Sequence, residues 1–158
     1  MLDKIRIVAR FEKRVNSSKG AQERHFSFYI KYAKLVSDAL RKPLFQRFLK
    51  WIMKREEIEE HKIKDVQIRV FPSVGKNGNG LAGRCDSKGR IFLFPKRRRF
   101  LWKRTQKRGK ADTESYMKRR ARAALIHELL HLKYLSNEEK VRELTERYLA
   151  TLTKETHH

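Results

Sequence analysis

Residues 126–134 read IHELLHLKY and place two histidines and a glutamate inside an otherwise apolar run. His127 and His131 are four residues apart, so a helix would direct both imidazoles to one side, one turn apart. The leucines and alanines around them indicate that this helix is buried, and buried polar side chains need partners. The segment therefore predicts an interior helix, from about Asp112 to about Tyr134, whose two histidines bind the same partner.

Zinc is the metal that suits this spacing, because two imidazoles one turn apart can provide two of its tetrahedral ligands. Glu128 lies about 100° round the helix from His127, where its carboxylate can act as a general base beside the metal. Patterns with three fixed positions also arise by chance. The alternative interpretation is a helix with two hydrogen-bonded histidines and a surface glutamate.

A catalytic zinc site needs a third protein ligand, and the following segment offers several carboxylates. A second helix is predicted from Ser136, where Ser136 and Glu139 match a capping box, to about Thr153. At about 100° per residue, Glu138 sits at the edge of the apolar face of this helix, one turn before Val141. Glu138 is thus the first choice for the third ligand, and the alternatives are Glu139, Glu143 and Glu146.

The other segments predict a single α+β domain over residues 1–156. Residues 1–62 contain a strand near 4–11 and backing helices that break near Pro43. Residues 63–95 form a small mixed or antiparallel sheet, with a strand over 65–71 and a hairpin over 81–94. Residues 96–111 are a basic connector, and residues 112–154 hold the two zinc-site helices.

The charge is strongly unbalanced, with 40 Lys+Arg against 18 Asp+Glu and a formal net charge of +22. Such a charge attracts polyanions, nucleic acid among them. Its densest part is residues 96–110, which begin with Lys96 and end with Lys110 and include Phe100 and Trp102. This stretch is predicted to contact DNA or RNA, with the aromatic rings stacking on bases. The alternative is a mobile, solvated loop.

The composition also predicts a compartment. Cys85 is the only cysteine, which excludes an intrachain disulfide and fits a reducing environment. No apolar run approaches the ~18 residues of a membrane span, and the charged start lacks the order of a signal peptide. We therefore expect a cytoplasmic protein with no membrane partner. His157 and His158 are left out of the site, because a terminal histidine pair is typical of a purification tag.

Residues 127–149, HELLHLKYLSNEEKVRELTERYL, resemble the C-terminal half of small single-domain zincins, in particular the minigluzincins. They are also similar to the SprT-like and WLM-type metallopeptidases. The resemblance implies zinc ligation by His127, His131 and Glu138, with Glu128 as general base. SprT-like and WLM-type proteins have a histidine in place of that glutamate, whereas this chain has Asn137. The resemblance further implies that residues 90–94 form the sheet edge that pairs with extended substrate.

The expected function is that of a zinc-dependent metalloendopeptidase acting on peptides or proteins, in the neighbourhood of nucleic acid. Two alternatives remain open at the level of sequence. One is a basic nucleic-acid-binding protein that keeps a zincin fold with little activity. The other is a latent protease whose N-terminal segment or glycine loop covers the cleft. Cys85 is a candidate fourth ligand, and the alternative is a small strand residue. Tyr134 and Tyr148 are candidates for stabilising an oxyanion, and the alternative for both is core packing.

Overall fold

The computed structural model describes residues 5–10, 19–75, 78 and 80–156, without the side chains of 19–25 and 154–156. The helices are α1 (Lys19–Arg41), α2 (Pro43–Glu56), α3 (Arg98–Arg108), α4 (Lys110–Tyr134) and α5 (Glu138–Thr156), with a short 3-10 helix at Glu60–Lys62. The strands are β1 (Ile7–Arg10), β2 (Asp65–Arg69), β3 (Ser73–Val74), β4 (Gly80–Leu81), β5 (Gly83–Cys85) and β6 (Arg90–Leu93). The predicted α+β class is confirmed.

Four strands form a mixed sheet in the order β1-β2-β6-β5. β1 and β6 both run parallel to β2, and β5 pairs with β6 as an antiparallel hairpin. β3 and β4 form a separate two-stranded ladder. Val66 of β2 lies opposite Ile91 of β6, and both side chains are fully buried. The sheet therefore contributes one layer of a continuous core that also takes side chains from all five described helices.

The predicted substrate-pairing edge at residues 90–94 is wrong. β6 lies between β2 and β5, so both of its sides are occupied by other strands, and the edges of the sheet are β1 and β5. The reason is the continuous burial of Ile91, Phe92 and Leu93, since a strand covered on both faces belongs in the middle of a sheet. The unbroken apolar run in the sequence already favoured this position over an edge.

The first half of the chain forms two helices that break where the sequence predicted. Lys42 lies between α1 and α2, and Pro43 occupies the first turn of α2, where its missing N–H is not needed. α1 packs against β1, β2 and α4 and thus forms the backing layer behind the sheet and the histidine-bearing helix.

The basic connector is largely helical. α3 folds back on α4 after Gly109, whose φ of 94° suits glycine. Leu101 is fully buried beneath α3, and the hydroxyl of Thr105 lies 2.9 Å from that of Thr113. The guanidinium of Arg104 donates to the carboxylate of Asp112 at 2.8 Å. A solvated loop is therefore excluded for residues 98–108, because these contacts fix one side of α3 to α4.

The predicted capping box at the start of α5 is also wrong. α5 begins at Glu138, and its cap is Asn137, whose side-chain oxygen accepts from the Lys140 N–H at 3.2 Å. Ser136 is used instead in the turn between the helices, where its carbonyl accepts from the Glu138 N–H at 2.9 Å. Glu138 therefore occupies the first position of the helix.

Glu56 joins three helices at one buried carboxylate. It ends α2 and is only 7% exposed. The hydroxyl of Tyr134, at the end of α4, donates to one carboxylate oxygen at 2.9 Å, and that of Tyr148, on α5, donates to the other at 2.8 Å. Burial and the bond to Glu56 raise the pKa of Tyr148. Both tyrosines are thus structural.

Glu56→Ala is expected to lower the free energy of unfolding by about 2–4 kcal/mol, because two tyrosine hydroxyls lose their buried acceptor. Glu146→Ala is the matched control, since it removes the same charge from an exposed position of α5 and should cost about 0.5 kcal/mol or less. Urea unfolding of both variants measures the difference. Equal losses in the two variants would contradict a structural role for Glu56.

Candidate metal centre

Three predicted ligand residues meet where α4 turns into α5. The Nε2 atoms of His127 and His131 lie 3.1 Å apart. The carboxylate of Glu138 faces both rings, with Oε1 2.8 Å from His127 Nε2 and Oε2 2.9 Å from His131 Nε2. The two histidines share a face of α4, as their spacing predicted. Their roles as metal ligands stay a prediction, and so does that of Glu138.

The hydrogen-bond pattern of this cluster brings acceptor atoms close together. Nδ1 of His131 lies 2.6 Å from the carbonyl oxygen of Leu135, which can only accept, so this nitrogen carries the hydrogen. In the neutral ring Nε2 is then unprotonated, and its lone pair faces the carboxylate of Glu138 and the ring of His127. Two acceptors this close repel each other unless a proton or a metal ion lies between them.

The donor set fits zinc. Two imidazole nitrogens and one carboxylate are a ligand set used by catalytic zinc, and the remaining position stays open. With Zn–N of about 2.0–2.1 Å, tetrahedral donors lie about 3.3 Å apart. The two Nε2 atoms lie 3.1 Å apart and the Glu138 oxygens lie 2.8 and 2.9 Å from them, so the three donors are a few tenths of an ångström closer together than they would be around zinc. Burial lowers the pKa of His127, which keeps its imidazole neutral near pH 7 even though Glu138 opposes the shift.

Glu128 is buried beside the cluster. Ligand atoms of His127, Glu128 and His131 all lie within 4.8 Å of one another. Burial raises the pKa of Glu128 to about 7, an effect that His131 opposes and Glu138 reinforces. A carboxyl group that titrates near neutral pH can both take and return a proton. The surroundings of the Glu128 side chain depend on β5 as well as on α4, because β5 packs directly against this side chain.

Gly83 brings the edge strand close to Glu128. A β-carbon built on Gly83 would lie 3.2 Å from Cγ of Glu128 and 3.1 Å from the carbonyl oxygen of Phe92. Glycine therefore permits β5 to approach α4 more closely than a larger residue would. In the sequence Gly83 lies inside the predicted hairpin over 81–94 with nothing to distinguish it, so its role was missed.

Arg120 ties the same region together from α4. Its guanidinium donates to the carbonyl oxygen of Phe94, just after β6, and lies 3.4 Å from that of Leu81 in β4. Arg120 is seven residues before His127 and so lies on nearly the same side of the helix. That spacing was the available signal, but the surrounding run of basic residues concealed it.

A strained turn sets the position of Glu138. Leu135 has φ 51° and ψ −122°, and the N–H of Asn137 donates to the carbonyl oxygen of Tyr134 at 3.1 Å. These are the features of a type II′ turn, whose first central position favours glycine. The turn serves the site twice, because it aims the Leu135 carbonyl at His131 and starts α5 with its carboxylate against the histidines.

The other candidate residues lie outside the cluster. Burial, followed by the charges of Glu128 and Asp86, raises the pKa of Cys85 to about 11, so its thiol is protonated near neutral pH and is a poor ligand. Glu143 pairs with Arg147 at 2.9 Å, and Glu139 and Glu146 are exposed on α5. His157 and His158 lie outside the described residues, as do residues 1–4 and 76, 77 and 79 of the segments suggested to cover the cleft.

No protein-family model, curated protein or solved structure matches the chain. Among the described helices, none combines the length and apolar character needed to cross a membrane. The case for a function therefore rests on the geometry of the residues themselves.

Leu135→Gly is expected to raise the free energy of unfolding by about 1 kcal/mol, because glycine adopts a φ of 51° without strain. Ser136→Gly is the control, since it introduces the same flexibility one residue later, where φ is not positive. Thermal unfolding compares the two. A Leu135→Gly variant that loses as much stability as Ser136→Gly would argue against strain in this turn.

Proposed function

We propose that this chain is a zinc-dependent metalloendopeptidase with a small zincin-like fold of the minigluzincin type. The observation that carries the proposal is the convergence of His127, His131 and Glu138 on one point, with buried Glu128 beside them. Two imidazole nitrogens and a carboxylate that face one another at 2.8, 2.9 and 3.1 Å form a donor set that a zinc ion can join.

His127, His131 and Glu138 would hold the metal, and their different origins would make the site rigid. The histidines come from α4, and the carboxylate comes from the first residue of α5. The Nδ1–H of His131 donates to Leu135, which orients the ring and leaves Nε2 free to bind the metal. When bound, zinc supplies Lewis acidity, which polarises a carbonyl group and acidifies water.

Glu128 would move the proton. Its carboxylate takes a proton from the attacking water as the oxygen bonds to the scissile carbonyl carbon. The same group then returns that proton to the leaving amine as the C–N bond breaks. Burial raises the pKa of this carboxyl group above its ordinary value, which strengthens it as a base towards water.

β5 would hold the substrate. β5 is the edge strand that lies next to Glu128, so it can offer main-chain hydrogen bonds to an extended peptide, which would then run past Glu128. This assignment replaces β6, which has a strand on each side. Since recognition through the main chain is independent of side chains, a peptide or unfolded protein segment is the expected class of substrate.

Purified protein freed of its terminal histidines is expected to bind about one zinc ion per chain, as measured by mass spectrometry after dialysis. His131→Ala should abolish binding, and Glu138→Gln should weaken it at least tenfold, because the third ligand is lost. Glu139→Gln is the matched control, with the same charge change at the next residue, and should bind normally. Equal zinc binding by Glu138→Gln and Glu139→Gln would contradict the three-ligand site.

Glu128→Gln should keep the zinc and reduce cleavage of an unfolded protein, such as casein, by at least a hundredfold, because the amide cannot accept the proton. Zinc content and cleavage are measured on the same preparation, so loss of metal and loss of the base are separated. A Glu128→Gln variant that cleaves as fast as the parent chain would refute this mechanism. A parent chain that binds zinc but cleaves nothing would favour the non-enzymatic alternative.

A further inference from the structure

We infer that the outer face of α3 binds single-stranded nucleic acid. This face is defined by Arg99, Trp102, Lys103, Gln106 and Lys107, all of which are exposed. The structure thus shows which residues of the basic stretch lie together on one helical surface. The inference does not depend on the proposed peptidase activity, since it uses no residue of the metal centre.

The cations on this face are not paired with carboxylates in the described part of the chain. No acidic residue occurs between Asp86 and Asp112 in the sequence. In the described part of the chain, Arg104 is the α3 cation that pairs with a carboxylate, and it does so on the side that faces α4. Arg99, Lys103 and Lys107 recur at intervals of four residues, so they form a stripe along the opposite side of the helix. Such a stripe matches a chain of phosphates.

Trp102 adds a flat apolar surface to this stripe. Its exposed fraction is 54%, which is larger than that of the other tryptophan, Trp51. In the described part of the chain, no aromatic ring and no cation packs against the face of the Trp102 ring. Trp51, by contrast, packs edge-on against Tyr148 at 5.8 Å and carries Arg55 over its ring. An unpartnered indole between cations is suited to stacking on an unpaired base.

The composition of the face favours nucleic acid over the other polyanions. A membrane surface would require a broad apolar face, whereas the exposed large apolar groups of α3 are Phe100 and Trp102. An acidic protein would satisfy the cations but leave the indole without a function. A single strand supplies both phosphates and accessible bases, which a duplex does not. The net charge of +22 would speed its approach.

The face is separate from the metal centre but close to it. The ring of Phe100 in α3 packs against that of Tyr116 in α4 at 5.7 Å between centroids. Tyr116 lies eleven residues before His127 in the sequence, which corresponds to about 16 Å along a helix axis. A strand bound to α3 would therefore lie beside the cleft without entering it. Nucleic acid would act as a tether and not as the substrate.

The test measures binding of fluorescein-labelled oligothymidine and oligouridine by anisotropy at several salt concentrations. Replacing Arg99, Lys103 and Lys107 together by glutamine should weaken binding more than tenfold and reduce the slope of log K against log salt by about two, since three phosphate contacts are lost. The matched control replaces Lys31, Arg47 and Lys54, which are exposed on α1 and α2, and should change the affinity less than threefold.

Trp102 provides a second, direct readout. In a Trp51→Phe background the remaining tryptophan emission should be quenched when the strand binds, and Trp102→Ala should weaken binding about tenfold. His131→Ala should bind as tightly as the parent chain, which separates this result from any failure of the metal site. Equal losses in the α3 triple variant and its control would overturn the inference and leave only general attraction. Tighter binding to a DNA duplex, or to phosphatidylserine vesicles, would also overturn it in favour of that partner.

Discussion

The carboxylate of Glu56 fixes the relative positions of α2, α4 and α5, and the geometry of the candidate site depends on this contact. Tyr134 lies at the last residue of α4, three positions after His131, while Tyr148 lies ten positions after Glu138 on α5. Both hydroxyls donate to the same carboxylate, so α4 and α5, which carry the proposed ligands, are both joined to α2. Lys133, whose ammonium lies 3.8 Å from Glu56, provides part of the compensating charge. A site that needs its donors placed within a few tenths of an ångström requires a support of this kind.

The electrostatics of the cluster follow from where its hydrogens can be. The carbonyl of Leu135 decides the tautomer of His131, and that choice leaves a lone pair directed at Glu138. Because both groups are acceptors in this tautomer, they repel each other unless a proton or a metal ion lies between them. The backbone strain at Leu135 serves the same cluster. The positive φ of this residue directs its carbonyl, and also the start of α5, towards the histidines. Local strain and local charge thus serve the same arrangement.

Much of the fold and most of the candidate site could be predicted from local patterns. The spacing of His127 and His131 placed them on one face, and the phase of α5 singled out Glu138, which does lie against both rings. The break at Pro43 and the hairpin before residue 94 were equally local. The errors concern relations between distant segments. Which strand would lie at the edge depended on whether β2 would pair with β6, and this pairing joins residues such as Val66 and Ile91. The burial of Glu56 depended on two tyrosines from other helices.

The proposed ligands all lie within one helix–turn–helix segment, and this has a consequence for how the protein folds. His127 and Glu138 are eleven residues apart in sequence, whereas the pairing of β1 with β2 brings Ile7 beside Val66. Closing a short loop costs less chain entropy than closing a long one, and contacts between near neighbours form sooner. The helical pair can therefore assemble its donors before the parallel strands meet. A metal ion bound at that stage would fix the two helices against each other, so that less chain entropy would remain to be lost as the rest of the domain folds. The helical pair would then act as a folding nucleus.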